Sequence, residues 1–140
     1  MDTIFPFIQP NNKEKKTLSL YRDIKWDFLR DTPMFRNGNP VIVYGLEAVK
    51  TWAYCALRTM RFRHIIYTHN YGNEIESLIG KPFSTSVKTA EAKRYIEECL
   101  TVSPYIRSVT DISVAFSDGK LSIDCSINTV YGREGVKINV

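Results

Sequence analysis

The chain has 140 residues, of which 44% are hydrophobic and 24% are charged, and its formal net charge is +4. This length and composition are typical of one globular domain with a single hydrophobic core, and they argue against a disordered chain. No apolar run approaches the roughly 20 residues of a membrane-spanning helix, and the N-terminus lacks the basic and apolar regions of a secretory signal peptide.

The first 20 residues are predicted to form an arm rather than part of the core. Pro6, Pro10 and the polar run 13–16 interrupt regular structure. The apolar residues between Ile4 and Ile8 give this arm a surface that can dock on a partner or pack against its own domain, and both alternatives are open. Residues 21–140 are then expected to form one α+β domain.

A hairpin is predicted after the arm. Ile24, Trp26 and Phe28 alternate with polar residues, as in a strand with one buried face. Residues 36–40 contain Asn-Gly followed by Pro, which favours a tight turn. Residues 41–44 are β-branched or aromatic and supply the second strand.

Two longer helices and two short elements are predicted in the middle of the chain. Apolar residues spaced by three and four indicate a helix over 46–58, with Trp52 as a core anchor. Residues 64–67 favour a short strand, and 74–79 favour one or two helical turns. A second long helix is expected over 86–101, with a Ser or Thr cap at its start and a proline shortly after its end.

The last third of the chain predicts an antiparallel hairpin. Apolar residues alternate over 112–116 and 121–127, on either side of an Asp-Gly turn at 118–119. Alternation over 136–140 indicates a short terminal strand. The order of elements predicts an α+β fold, with a small mixed or antiparallel sheet, two main helices on one face and an open edge.

The cysteines and histidines predict neither a disulfide nor a metal site. Cys55, Cys99 and Cys125 are odd in number, far apart and set among apolar residues, so we expect buried free thiols in a reducing compartment. The spacing of His64 and His69 matches no common zinc pattern. No cofactor is predicted.

A short basic stretch follows the first helix. Arg58, Arg61 and Arg63 surround Phe62, and cations with an interleaved aromatic ring are typical of phosphate or RNA contacts. A solvated or partner-facing turn explains the same residues, and no longer basic tract or nucleic-acid motif accompanies them. We favour the turn, and nucleic-acid binding is kept as an alternative.

No catalytic arrangement stands out. Glycines are isolated rather than clustered for phosphate binding, and there is no Gly-x-Ser-x-Gly motif. Glu97 and Glu98 are adjacent on a predicted helix, and Glu74 and Glu76 are two residues apart, so neither pair converges on one face. The chain is not expected to be an enzyme; a tail-associated, lysozyme-like glycan hydrolase is the alternative.

Taken together, several segments resemble the baseplate wedge or sheath-initiator family of contractile phage tails. The similarity is to the branch found in Gram-positive prophages and phage-tail-like bacteriocins, and it covers residues 26–132. The resemblance rests on the order and spacing of these segments rather than on any single motif. The segments are Gly45–Lys50, Ala56–Thr59, Arg61–His64, Ile66–Tyr67, Tyr71–Glu74, Leu78–Gly80, Ile106–Val109 and Thr129–Gly132.

The resemblance implies a structural protein at the junction of tube or hub, baseplate wedge and sheath. Such proteins are similar to part of the sheath subunit and exchange strands with the first sheath ring, which is β-augmentation. Six copies around the tail axis, assembly in the host cytoplasm and a final place in the baseplate are expected, with no nucleic-acid or membrane partner. Candidate partner contacts are Arg58, Arg61, Arg63, Tyr71 and Gly72.

One departure from the family concerns the turn after the second long helix. Relatives have Glu-Pro-Arg there, and this chain has Ser103, Pro104 and Tyr105. The charge-assisted wedge contact that the two charges imply is therefore in doubt. Either the turn docks through its shape and the Tyr105 ring, or Pro104 only ends the helix.

Overall fold

The computed structural model describes residues 18–59, 71–78, 84–117 and 120–139. The helices are α1 (Leu46–Arg58) and α2 (Thr85–Thr101), with a 3-10 helix at Ile75–Leu78. The strands are β1 (Arg22–Ile24), β2 (Trp26–Asp27), β3 (Thr32–Pro33), β4 (Phe35–Arg36), β5 (Asn39–Pro40), β6 (Ile42–Tyr44), β7 (Ile106–Ser117), β8 (Lys120–Thr129) and β9 (Gly132–Asn139).

Strands β1 to β6 form a branched ribbon. Its base is the predicted hairpin, because β1 pairs with β6. Three backbone hydrogen bonds then join Lys25, Met34 and Val41 in a closed triangle, in which each N–H donates to the next carbonyl over 2.7, 3.0 and 2.8 Å. Trp26 therefore turns away to pair with Pro33, and Phe28 lies in a turn rather than in the first strand.

The tip of the ribbon is the predicted Asn-Gly turn. Asn37 and Gly38 have φ angles of 52° and 78°, and β4 and β5 pair on either side of them. Two consecutive positive φ angles match the right-handed twist of a hairpin, and Asn-Gly is the residue pair that adopts them at the lowest cost.

Both long helices are confirmed. Helix α1 has the predicted bounds, and its buried face includes Val49, Ala53 and Leu57, whereas Trp52 is only half-buried. Helix α2 starts one residue earlier than expected. Ser84 is its cap, since the Ser84 hydroxyl accepts a hydrogen bond from the Val87 N–H over 3.4 Å.

A three-stranded antiparallel sheet carries the core, with β8 between β7 and β9. Leu121, Ile123, Cys125 and Ile127 of β8 are buried and alternate with more exposed polar residues. Helix α1 packs against β9 and α2 against β7, so both helices cover the same face. The small α+β fold predicted from the sequence is confirmed.

Some predicted features lie outside the described residues. They are the strand at 64–67, both histidines, the Asp118–Gly119 turn, Ile79 and Val140. The terminal strand is longer than its apolar alternation suggested, because β9 begins at Gly132. No helix in the described part of the chain has the length and apolar character needed to cross a bilayer.

Candidate assembly surfaces

The turn at Ser103–Pro104–Tyr105 is held together by its serine. The Ser103 hydroxyl accepts a hydrogen bond from the Tyr105 N–H over 3.3 Å, and the Ser103 carbonyl accepts one from the Ile106 N–H over 3.2 Å. Pro104 is exposed at the apex, and Tyr105 is half-buried. The turn thus presents a proline to solvent and directs the tyrosine ring back onto the domain.

Tyr105 belongs to a cluster of three tyrosines. Its ring centroid lies 4.8 Å from that of Tyr21 and 6.2 Å from that of Tyr131, on which it stacks. The Tyr105 hydroxyl donates to the Ser19 carbonyl over 2.8 Å, and the Tyr131 hydroxyl accepts from the Tyr21 N–H over 3.0 Å. The cluster fastens the chain where it enters the domain, directly beside the turn.

Arg58 makes its contacts within the chain. Its guanidinium lies 3.1 Å from the Asp31 carboxylate and donates a hydrogen bond to the Asn139 carbonyl over 3.0 Å. It also stands over the Tyr54 ring, 5.7 Å from the centroid. Arg58 therefore ties α1 to the branched ribbon and to the end of β9. Arg61 and Arg63 lie outside the described residues.

Tyr71 and Gly72 lead into a buried asparagine that the sequence did not single out. Gly72 is buried with a φ of 97°, and the Tyr71 ring meets Trp52 edge-on at 6.0 Å. The Asn73 side-chain amide donates to the carbonyls of Leu57 and Thr59, which end α1. Its side-chain oxygen accepts from the Ile75 N–H over 3.1 Å. One side chain thus caps two helical segments. In the sequence, the only sign of this role is an Asn that follows a Tyr-Gly pair.

The two edges of the three-stranded sheet differ. Strand β7 shifts register with β8 twice, between Ile106 and Ser108 and between Thr110 and Ser113. Each bulge adds one residue, and Asp111, in the second bulge, has a φ of 53°. Bulges of this kind twist an edge strand and oppose pairing with a further strand.

Strand β9 is regular by contrast. It pairs with β8 residue by residue from Gly132 to Asn139 without a shift, and no strand in the described part of the chain lies on its other side. The Gly135 N–H reaches the Glu134 carboxylate, and the Asn139 carbonyl reaches Arg58. Since backbone groups of alternate residues point the same way, those of Lys137 face the same open edge.

Comparison with known proteins assigns the chain to a family. The sequence family described as contractile injection system sheath initiator matches residues 22–132. The chain belongs to this family. The phage-like element PBSX protein XkdS of Bacillus subtilis (strain 168) is 37% identical over 101 residues, which cover 70% of this chain and 72% of that protein. The resemblance to tail proteins of Gram-positive prophages is confirmed.

As a sheath initiator, the chain is a structural component of a contractile tail from which sheath assembly starts. The matched residues run from the first residue of β1 to the first residue of β9. They include Arg58, Tyr71, Gly72 and the Ser103–Tyr105 turn. Strand β9 beyond Gly132 lies outside the matched residues.

The adjacent carboxylates of this sheath initiator, Glu97 and Glu98, occupy helical surface positions. Glu97 and Glu98 are exposed on α2, and Glu98 lies 3.8 Å from the Arg94 guanidinium. Arg94 also holds Glu91 at 2.8 Å, so the charges form a chain along one helix face. No group of His, Cys, Asp and Glu able to hold a metal ion occurs among the described residues.

The cysteines are free thiols, as predicted. Cys99 and Cys125 are buried, and Cys55 is half-buried. Burial is the main cause that raises the pKa of Cys55 and of Cys125 to about 11, with nearby aspartates adding to it. Because the thiolate is the reactive form, these thiols are suited to packing rather than to chemistry.

Proposed function

We propose that this chain starts the sheath by offering the outer edge of β9 to a strand from the first sheath ring. The observation that carries the proposal is the contrast between the two edges. β9 presents eight residues in unbroken register, and β7 is bulged twice. An added strand needs a regular row of outward N–H and C=O groups, and β9 provides that row. Within it, the Gly135 N–H and the Asn139 carbonyl already have contacts inside the chain.

The binding free energy expected from one added strand suits an assembly of several copies in a ring better than an isolated one-to-one complex. The outward groups of alternate residues along this edge, apart from the Gly135 N–H and the Asn139 carbonyl, offer up to about six further backbone hydrogen bonds, each worth about 1 kcal/mol net. Association costs at least about 4 kcal/mol in lost freedom of motion. One added strand is therefore weakly held, and several copies acting together around a tail axis raise its effective affinity.

The surface around the Ser103–Tyr105 turn supports a second contact, separate from the β9 edge. The proposal places the wedge contact at the exposed Pro104 and the tube or hub nearby, with residues 1–20 as an arm. Ser19 lies against Tyr105, so the arm would leave the domain beside the docking turn. Six copies around the tail, assembly in the host cytoplasm, a place in the mature baseplate and the absence of nucleic-acid and membrane partners belong to the same proposal.

The role proposed is structural rather than catalytic. Adjacent carboxylates such as Glu97 and Glu98 point in different directions on a helix, which does not suit the paired geometry of glycan hydrolysis. Peptidoglycan turnover by the purified chain that Glu74→Gln abolished would contradict this part of the proposal.

Amide exchange of the chain bound to purified sheath subunits tests the edge. Exchange over residues 132–139 should slow on binding, and exchange over 106–117 should not. Lys137→Pro removes an outward N–H and should weaken sheath binding about tenfold or more, and Lys137→Ala should not, although both variants lose the ion pair with Asp124. Protection confined to β7, or equal binding by both variants, would refute the choice of edge.

A further inference from the structure

The branched ribbon has an exposed apolar face. Residues 39–44 form one extended run, in which Pro40, Ile42 and Tyr44 share a side and Val41 and Val43 take the other. Pro40 is paired with Phe35, so the Phe35 ring lies on the same side. Phe35, Ile42 and Tyr44 are 60%, 41% and 56% exposed. These residues are here called the ribbon face.

The ribbon face continues toward the start of the domain. Arg22 is paired with Tyr44, and the Tyr21 carbonyl accepts a hydrogen bond from the Gly45 N–H, which extends the ladder by one step. By alternation, Leu20 joins the side of Arg22, and it is 61% exposed. Several large apolar side chains therefore lie together in solvent, and such a patch on a soluble domain is typical of a protein interface.

The charges around the ribbon face have one sign. The carboxylates of the ribbon are used internally: Asp23 accepts from the Ile24 N–H, Asp27 from the Leu29 N–H, and Asp31 holds Arg58. Arg22, which shares the side of Tyr44, is exposed and forms no ion pair with any residue in the described part of the chain. Arg36 is paired with Asn39 and lies on the other side of the ribbon. The face thus combines apolar side chains with unmatched positive charge.

We propose that the ribbon face docks another protein of the tail, through a segment of that protein that is apolar and carries carboxylates. The carboxylates would pair with Arg22, and the apolar side chains would cover Phe35, Ile42 and Tyr44. Tyrosine and arginine are among the residues that most often dominate interface energies, and phenylalanine is enriched at interfaces. This contact is distinct from the β9 edge, because α1 lies between the ribbon and β9.

Charge disfavours a second copy of the chain on this surface. A second copy would bring the same arginine to the contact, together with a net charge of +4. Like charges brought together at an interface are unfavourable, so an acidic partner fits best.

Photo-crosslinking in assembled tails identifies what covers the face. The full chain carrying Ile42→p-benzoylphenylalanine is produced in cells that make the complete tail, and the purified tails are irradiated and digested. The proposal expects a crosslink to a different tail protein with Asp or Glu within a few residues of the crosslinked position. A crosslink to residues 1–17, a crosslink to a second copy, or none in tails that contain the variant would each overturn it.

Substitutions test the apolar and the charged parts separately, with incorporation into purified tails as the measurement. Ile42→Asp should lower incorporation about tenfold or more, and Val87→Asp is the control, because Val87 is exposed to a similar extent on α2. Arg22→Glu should lower incorporation, and Arg22→Lys should preserve it. Equal losses for Ile42→Asp and Val87→Asp, or for both Arg22 variants, would contradict the proposal.

A binding assay with purified sheath subunits distinguishes failure of the ribbon-face proposal from failure of the β9-edge proposal. A chain with Arg22→Glu should still bind purified sheath subunits, since its β9 edge is unchanged. If Arg22→Glu abolished sheath binding in that purified assay, the ribbon face would be part of the sheath contact, and the separate partner proposed here would be wrong.

Discussion

Arg58 shows how a residue that reads as a surface cation becomes part of the scaffold. The sequence places it in a basic stretch, but its partners, Asp31 and Asn139, are 27 and 81 positions away along the chain. No local pattern reveals such pairs. The role of Asn73 is equally hidden in the sequence, because its side chain caps α1 only after folding has brought the end of that helix beside it.

Replacement of Arg58 should therefore destabilise the fold. Arg58→Met is expected to lower the free energy of unfolding by about 1–2 kcal/mol, since it removes a half-exposed ion pair and a charged hydrogen bond to the backbone. Arg94→Met is the matched control. Its ion pairs lie along α2 alone and are exposed to solvent, so their loss should change the free energy of unfolding much less. Urea unfolding of both variants measures the two changes in the free energy of unfolding. Equal decreases would mean that Arg58 contributes no more to stability than an exposed surface charge.

Gly38 and Gly135 separate backbone strain from crowding. A Cβ added at either position meets nothing within 4 Å, but only Gly38 has a positive φ, of 78°. Gly38→Ala should cost about 1 kcal/mol of folding free energy, because an L-residue is strained in the left-handed region. Gly135→Ala should be close to neutral. Thermal unfolding measures both, and a neutral Gly38→Ala would show that the tip turn is not held in this conformation.

Buried thiols and a buried phenol predict a loss of stability in alkali. The pKa of Cys55 and of Cys125 is raised from 9.0 to about 11, and that of Tyr21 from 10.0 to about 12, mainly by burial. In each case the unfolded chain releases its proton first, so stability is complete below the unfolded pKa and falls as pH rises through the folded pKa. The melting temperature should fall from about pH 9 to pH 12. Tyr21→Phe should flatten only the part above pH 10; an unchanged profile would contradict the burial of Tyr21.

At the scale of elements, regular patterns were predictable and irregular ones were not. Helix α1 follows from its apolar spacing, and the Asn-Gly turn follows from its chemistry. The triangle of Lys25, Met34 and Val41 is a backbone device with no side-chain signature. The bulges in β7 were hidden for a related reason: Ile106, Val109 and Ile112 are three apart, which resembles no strand until one residue is allowed to bulge in each interval.

The entry segment at Ser19–Tyr21 gives the element-scale prediction. Tyr105→Phe removes the hydrogen bond to the Ser19 carbonyl and keeps the ring. Amide exchange should accelerate over residues 18–21 and stay unchanged in β8, because this hydrogen bond helps to hold the segment locally, together with the bond from the Tyr21 N–H to the Tyr131 hydroxyl. Tyr95→Phe is the control, since that ring lies on α2. If exchange over 18–21 were equally slow in both variants, the hydroxyl would not fasten the segment, and residues up to 20 would belong to the core rather than to an arm.

For the whole molecule, membership of the sheath-initiator family is combined with three proposed assembly surfaces. The regular β9 edge, the Ser103–Tyr105 turn beside the entry segment, and the ribbon face lie on separate elements around α1 and α2. A protein placed between a tube and a growing sheath needs contacts in more than one direction. The sequence identified the family and the turn, but the choice of edge required the strand register.

Imaging of assembled tails by electron cryomicroscopy tests the central claim most directly. The account predicts density for this chain between the tube and the first sheath ring, with an additional strand paired along the outer edge of β9 over residues 132–139. An extra strand on β7, or sheath subunits that meet this chain without strand pairing, would contradict it.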